Sequence, residues 1–208
     1  MKRFERGFTV FEMTVVVITL GILVTIGATA WINASNGSRD KARETEARAW
    51  AGIFDVYKGR FGVYPALPLG DSPPASNGQY LCLGSFSATS GKCVQYTSSS
   101  THYIDATAAG TTAMLANIAK IGNVPANTSP TLNSKLAGPF VWLTQSTNGG
   151  TGYITVTAKF ITFFQTNCPS DFTNETANAD PTLTALFSGI STYAKACSLT
   201  KTFTYNPN

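Results

Sequence analysis

Twenty-five consecutive residues, Phe8 to Ile32, carry a single charge, and this run limits what the chain can become. It reads FTVFEMTVVVITLGILVTIGATAWI, and the charge is Glu12, near its start. A helix rises about 1.5 Å per residue, so Met13 to Ile32 extends roughly 30 Å, the thickness of a bilayer hydrocarbon core. The plain expectation is one N-terminal membrane-spanning helix. The preceding MKRFERG contains Lys2, Arg3 and Arg6, which hold the N-terminus on the cytoplasmic side and send the rest outward.

Two features depart from a plain anchor. A carboxylate at mid-bilayer costs about 2–3 kcal/mol, less near an end, so Glu12 should have a partner or a role. An ordinary signal peptide places its small-residue cleavage site after the apolar run, whereas Gly7 precedes it. Cleavage after Gly7 removes only the basic leader and makes Phe8 a new amine terminus, four residues before Glu12. One helical turn brings those two charges together, within one chain or between neighbouring chains.

Gly7-Phe8-Thr9-Val10-Phe11-Glu12 and the apolar run that follows resemble the class III leader and N-terminus of type IV prepilins and their pseudopilin relatives. The resemblance covers residues 1–65 and is generic beyond. It implies a leader at 1–7, a transmembrane and filament-core helix at 8–32, and an extracytoplasmic head at 33–208. It implies that a prepilin peptidase cuts after Gly7 and N-methylates Phe8. It also implies that Glu12 pairs with the Phe8 amine of a neighbouring subunit during assembly. The expected fold is α+β: a long N-terminal helix, half transmembrane and half amphipathic, packed on an antiparallel β-sheet. The implied partners are further copies of the chain, other pilins, the peptidase and an inner-membrane assembly platform. One position departs from the family. Most members have a proline 22nd after the cut, and here that residue is Thr29, so any local loosening of the helix must rest on others such as Gly27.

Beyond the run, charge is concentrated. Residues 39–60 hold ten charged side chains, and residues 61–208 hold eleven. The formal net charge is +4, of which the leader supplies +2 (Lys2, Arg3 and Arg6 against Glu5). The remaining side chains are too weakly basic to argue for nucleic acid as a specific partner. In residues 39–61, Trp50, Ile53, Phe54, Tyr57 and Phe61 recur at three- and four-residue steps, one apolar stripe that should pack on a sheet. Arg43, Glu44, Arg48, Asp55 and Lys58 are expected on the remaining surface. Between span and stripe, Asn33-Ala34-Ser35-Asn36-Gly37-Ser38 is a weak helix former, and one helix, bent or loosened there, is expected. Ser38 would cap its second part if it broke. The helix should end by Gly62, because Pro65 biases Tyr64 away from helical geometry.

The distal chain reads as a loop-rich stretch followed by a sheet. Gln79–Leu83 and Lys92–Thr97 are strand candidates flanking Cys82 and Cys93, consistent with a bridged hairpin. Residues 111–121 form a short amphipathic helix with Met114, Leu115, Ile118 and Ile121 on one side. Phe140–Gln145 and Gly152–Phe164 are strands joined by a hairpin. In the second, Ile154, Val156, Ala158 and Phe160 alternate with Tyr153, Thr155, Thr157 and Lys159, which gives one apolar face for the helix stripe. Residues 182–196 are expected to be helical, burying Leu183, Leu186, Phe187, Ile190 and Tyr193, with a last strand at Leu199–Tyr205.

Four cysteines in an exported chain suggest disulfides, and three pairings are possible. The simplest joins sequence neighbours, Cys82–Cys93 and Cys168–Cys197. The segment from Cys168 to Cys197 resembles the disulfide-bounded region near the C-terminus of many type IV pilins. No catalytic set emerges. His102 is the only histidine, and Gly149-Gly150-Thr151-Gly152 lacks the helix and lysine of a phosphate-binding loop. Asp171, Asn174, Asn178 and Asp180 form an oxygen-rich loop without a calcium-binding spacing, and Trp142 and Tyr96 read as packing residues. No enzyme, cofactor or metal is expected. The sequence therefore reads as a structural subunit of a type IV pilus-like filament serving adhesion, motility or DNA uptake. It would sit in the membrane before assembly and in an extracellular pilus or periplasmic pseudopilus afterwards. A pseudopilin of a type II secretion system is the alternative, and a membrane-anchored protein that never polymerises is a further one.

Overall fold

The structure, a computed structural model of the chain, describes residues 9–65, 79–84, 92–95, 103–105, 109–122, 124–125, 138–147, 153–175 and 195–206. It divides into two units, Met1–Ser38 and Arg39–Asn208. One helix, α1 (Val10–Phe61), is continuous in backbone hydrogen bonding through both Gly27 and Asn36-Gly37. The weak segment therefore stays helical, and Ser38 caps nothing.

From Val10 to Ile32, α1 is mostly apolar and exposed all round, and it is long and apolar enough to cross a membrane. Its threonines are satisfied within the helix, as a hydrocarbon surrounding requires. Thr14 donates to the Val10 carbonyl at 2.9 Å, and Thr19, Thr25 and Thr29 each reach carbonyls three and four residues back. α1 ends at Phe61, where Gly62 adopts φ 76° and donates its N–H to the Lys58 carbonyl at 2.8 Å. That left-handed cap favours glycine, which lacks the Cβ that would clash.

The second unit is α+β. After α1 come β1 (Gln79–Cys82), β2 (Lys92–Gln95), β3 (Tyr103–Asp105), α2 (Ala109–Ile118), β4 (Phe140–Thr147), β5 (Ile154–Phe164), β6 (Thr173–Asn174) and β7 (Lys195–Tyr205). The main sheet has the order β1-β4-β5-β7-β6 with antiparallel neighbours. A separate antiparallel pair joins β2 to β3.

Alternation on β5 gives the sheet two chemically different faces. Val156, Ala158 and Phe160 lie with Val141, Leu143 and Leu81 in one core, together with Trp50, Ala51 and Phe54 of α1 and Met114 and Ile118 of α2. Phe54 meets Phe160 edge-on at 4.9 Å and Tyr64 at 5.4 Å. Each such fully buried side chain contributes about 1.5–3 kcal/mol by removal from water. Phe61 is the exception in the stripe: it is exposed and rests on Tyr57 at 4.4 Å. Burial, with the Asp55 carboxylate adding to it, pushes the Tyr64 hydroxyl up to about 12.

Several expectations are corrected. β1 and β2 do not form a hairpin: β1 pairs with β4 and β2 with β3. Leu81 explains the choice, since pairing at the β4 edge buries it in the main core. Gly110 allows α2 to approach β1 there; a Cβ at 110 would lie 2.9 Å from Leu81 Cδ2 and closer still to the Gln79 amide. The expected helix 182–196 cannot include Lys195 and Ala196, which begin β7 opposite Phe164 and Phe163. The rest of that helix lies outside the described residues. Arg43 is buried, not on the surface.

Arg43 is buried because Asp40 is buried beside it. The Asp40 carboxylate accepts from the backbone N–H groups of Gln165 and Thr166 and from the Thr166 hydroxyl, at 2.7–3.1 Å. Arg43 Nη1 donates to Asp40 Oδ1 at 3.0 Å. This clamp ties α1 to the turn that follows β5. Nearby, Arg48 grips Asp171 with two bonds of 2.7 and 2.9 Å and also holds Glu44. Hydrogen bonds from Arg48 hold the Asp171 carboxyl below the usual carboxylate range. A depressed carboxyl stabilises above its unfolded pKa and stops doing so only as pH falls through the lower folded value.

The two ion pairs should differ in cost. Asp40→Ala strips the turn and Arg43 of a buried carboxylate and is expected to destabilise the head by about 3 kcal/mol. Arg48→Ala, at a half-exposed pair, is expected to cost under about 1 kcal/mol, unchanged between pH 7 and 5 and shrinking below about pH 4. Urea unfolding followed by tryptophan fluorescence measures both. Equal costs would mean that the clamp is no stronger than a surface pair.

Candidate assembly and processing site

The site begins where α1 begins. Thr9 precedes the helix, and Glu12 stands three residues on, in its first turn. The Thr9 backbone N–H and hydroxyl both donate to Glu12 Oε2 at 2.9 Å. In return the Glu12 N–H donates to Thr9 Oγ1 at 3.2 Å. This is a reciprocal capping box, in which two groups that helix geometry leaves unpaired are satisfied by each other's side chains. A negative charge there also complements the positive end of the helix dipole.

Both Thr9 bonds end on Oε2. The second oxygen, Oε1, accepts no hydrogen bond from the described residues. Glu12 is exposed, as are Val10, Phe11 and Met13 around it. Among the described residues the helix start therefore presents one carboxylate, oriented by its own cap, with one oxygen that accepts no bond, in an apolar setting. Gly7 and Phe8, the expected processing residues, lie outside the described residues.

The capping box is a functional arrangement that the charge-based expectation for Glu12 did not contain. Its signal is present in the sequence as Thr9-x-x-Glu12 ahead of an apolar run. Thr29 keeps its backbone N–H and continues the helix.

The cysteines are joined as Cys82–Cys93 and Cys168–Cys197, each with Cα atoms 5.7 Å apart. The first ties β1 to the separate β2–β3 pair. The second ties β7 to the loop after β5, near the Asp40 clamp. In the entropic account each loop closure is worth about 3–4 kcal/mol. Of the oxygen-rich loop, the two described residues have other partners: Asp171 is held by Arg48, and Asn174 pairs in β6. Asn178, Asp180, His102, Tyr96 and the 149–152 glycines lie outside the described residues. Trp142 packs, stacked on Tyr80 with ring centres 5.9 Å apart and with Lys159 Nζ 5.2 Å from its ring.

The box predicts a local effect. Thr9→Val removes the hydroxyl from both sides of the cap and is expected to cost about 1 kcal/mol, or about fivefold faster amide exchange over the first helical turn. Thr9→Ser should retain protection. Hydrogen exchange of the detergent-solubilised chain resolves the two, and identical exchange in all three proteins would dismiss the cap.

Comparison with family models, with curated proteins and with solved structures returns no match for this chain.

Proposed function

We propose that this chain is a structural subunit of a type IV pilus-like filament, cut after Gly7 by a prepilin peptidase and assembled through its N-terminal helix. The observation that carries the reading is the Glu12 oxygen that accepts no bond from the described residues, set in the first turn of a helix whose next twenty or so residues are mostly apolar and exposed. A lone chain in a bilayer gains nothing from an acceptor without a donor. A neighbouring chain with a newly made Phe8 amine supplies that donor. Oε2 remains with Thr9 while Oε1 receives the incoming amine, so the contact forms without dismantling the helix start.

The head suits this role. Its helix stripe and sheet form a core independent of the span, and two disulfides suit an oxidising exterior. Processing by the peptidase, docking at an inner-membrane platform and co-assembly with other pilins belong to the same proposal. Adhesion, motility or DNA uptake would then be properties of the filament.

Two measurements test it. Mass spectrometry of the membrane-extracted protein is expected to show a chain beginning at methylated Phe8; an intact Met1 terminus, or a cut beyond Ile32, would sink the reading. Glu12→Leu makes the span more apolar and is expected to be cut and held in the membrane as before. It also leaves the amine of the next subunit unpaired in an apolar core, a loss of about 3–5 kcal/mol per subunit. A sheared-filament fraction from cells with the variant as sole copy should contain at most traces of it. Normal amounts there would remove Glu12 from assembly.

A further inference from the structure

We propose that the outer edge of β7, from Leu199 to Tyr205, pairs antiparallel with the same edge of a second copy of the chain. This contact belongs to the head and does not rest on the filament reading.

β7 runs eleven residues and is paired along its whole inner side by β5, from Phe164 opposite Lys195 to Ile154 opposite Tyr205. On its outer side β6 covers only Cys197 and Ser198. From Leu199 to Tyr205 the outward backbone groups have no partner among the described residues. Among the described residues these seven form an open edge, a ready template for another strand. Proteins usually blunt such an edge with a bulge, a proline or a charge turned toward the intruder. Here the β5–β7 register is unbroken and there is no proline from 199 to 205. The one charge, Lys201, is already engaged by Asp55 at 3.2 Å.

The side chains identify the occupant. The edge reads Leu199-Thr200-Lys201-Thr202-Phe203-Thr204-Tyr205, which is nearly palindromic in residue type. An antiparallel pair centred on Thr202 uses all seven residues. It sets Thr202 opposite Thr202, Thr200 opposite Thr204, Lys201 opposite Phe203, and Leu199 opposite Tyr205. Hydroxyl meets hydroxyl on one face, apolar or cation–aromatic pairs form on the other, and no like charges oppose each other. Centring on Lys201 would set lysine against lysine. Such a two-fold contact is the self-complementary kind that closed dimers use.

The exposed threonines also continue an existing pattern. Thr202 lies beside Thr157, which lies beside Thr144; Thr204 lies beside Thr155, which lies beside Ser146. Thr155 and Thr204 already share a hydrogen bond of 3.1 Å between their hydroxyls. Pairing of two β7 edges would extend these hydroxyl rows across both copies.

The test uses the full chain in detergent, sized by sedimentation across a range of concentrations, with folding checked by circular dichroism and disulfide mapping. The parent protein is expected to show a concentration-dependent dimer. Thr200→Lys with Thr204→Lys puts lysine opposite lysine twice at exposed positions and should weaken that dimer by about tenfold or more. Thr200→Lys with Thr204→Glu puts opposite charges in the same places and should restore it. In a parallel arm, Thr202→Cys should oxidise to a covalent dimer and Ser146→Cys should not. A parent that is monomeric throughout, two double variants that associate equally, or cross-linking of position 202 to another protein instead of to itself would each overturn the proposal. Loss of filaments with the dimer intact would count against the pilin reading alone.

Discussion

A helix can meet two different surroundings only if its buried side changes along its length, and α1 makes that change at Asp40. Before Arg39 it has no buried side chain; afterwards it buries Asp40, Arg43, Ala47, Trp50, Phe54 and Tyr57 at steps of three and four. That spacing keeps one stripe on one side of the helix. The lower part of the stripe is aromatic and meets the apolar face of the sheet, where Met114 and Ile118 of α2 complete the same core. The upper part is charged, and the carboxylate of Asp40 makes its burial tolerable by capping the Gln165–Thr166 turn. The position of the first head contact on the helix thus follows from hydrogen bonding, whereas the strength of the grip below it follows from apolar area.

The opposite face of the sheet follows another rule. Lys159 stands among Thr157, Thr200 and Trp142 and reaches the buried Glu175 at 2.9 Å, while Ser198 donates to the same carboxylate at 2.6 Å. A buried carboxylate needs several partners to offset lost hydration. Here one comes from β5 and one from β7, so Glu175 links the chain after β6 to both of those strands. The Cys168–Cys197 bridge reinforces the same corner. Charged groups therefore serve as fasteners on both faces, each where a loop must be held to a strand.

This division explains what the residues disclose in advance. The apolar span, the aromatic stripe, the β4–β5 hairpin and the sorting of Val156 and Phe160 from Thr155 and Thr157 all follow from period, and period survives folding. Asp40 and Arg43 do not announce their burial, because residue type argues for solvent and only the distant Gln165–Thr166 turn reverses it. The pairing of β1 with β4 is hidden for a similar reason: nearness to Cys93 suggests a hairpin, but Leu81 needs the main core. β3 and β6 have three and two residues, too few to show a period. The start of β7 is masked by Ala196 and Lys195, residues equally at home in a helix. At the helix start the reverse holds: Thr9-x-x-Glu12 is fully written in the sequence, but a lone charge in an apolar run draws the eye to partners outside the helix.

The span carries that point further. Between Val10 and Thr29 the polar side chains are Glu12, Thr14, Thr19, Thr25 and Thr29. Every threonine hydroxyl is returned to a carbonyl of its own helix, and with threonine at 29 the backbone ladder loses no donor there. With its hydroxyl donors all satisfied internally, this stretch has no side-chain donor left to offer another helix. Glu12 differs because it is charged and its cap occupies a single oxygen. In water that spare oxygen would count for little, since solvent would fill it. In hydrocarbon it is the only charged acceptor along those twenty residues, and a donor gains more from it than from the threonine oxygens, which also retain lone pairs. The remaining residues add packing, which is broad and indifferent to register. In the proposed filament, a single charged acceptor at one end would set one helix against the next at a defined height.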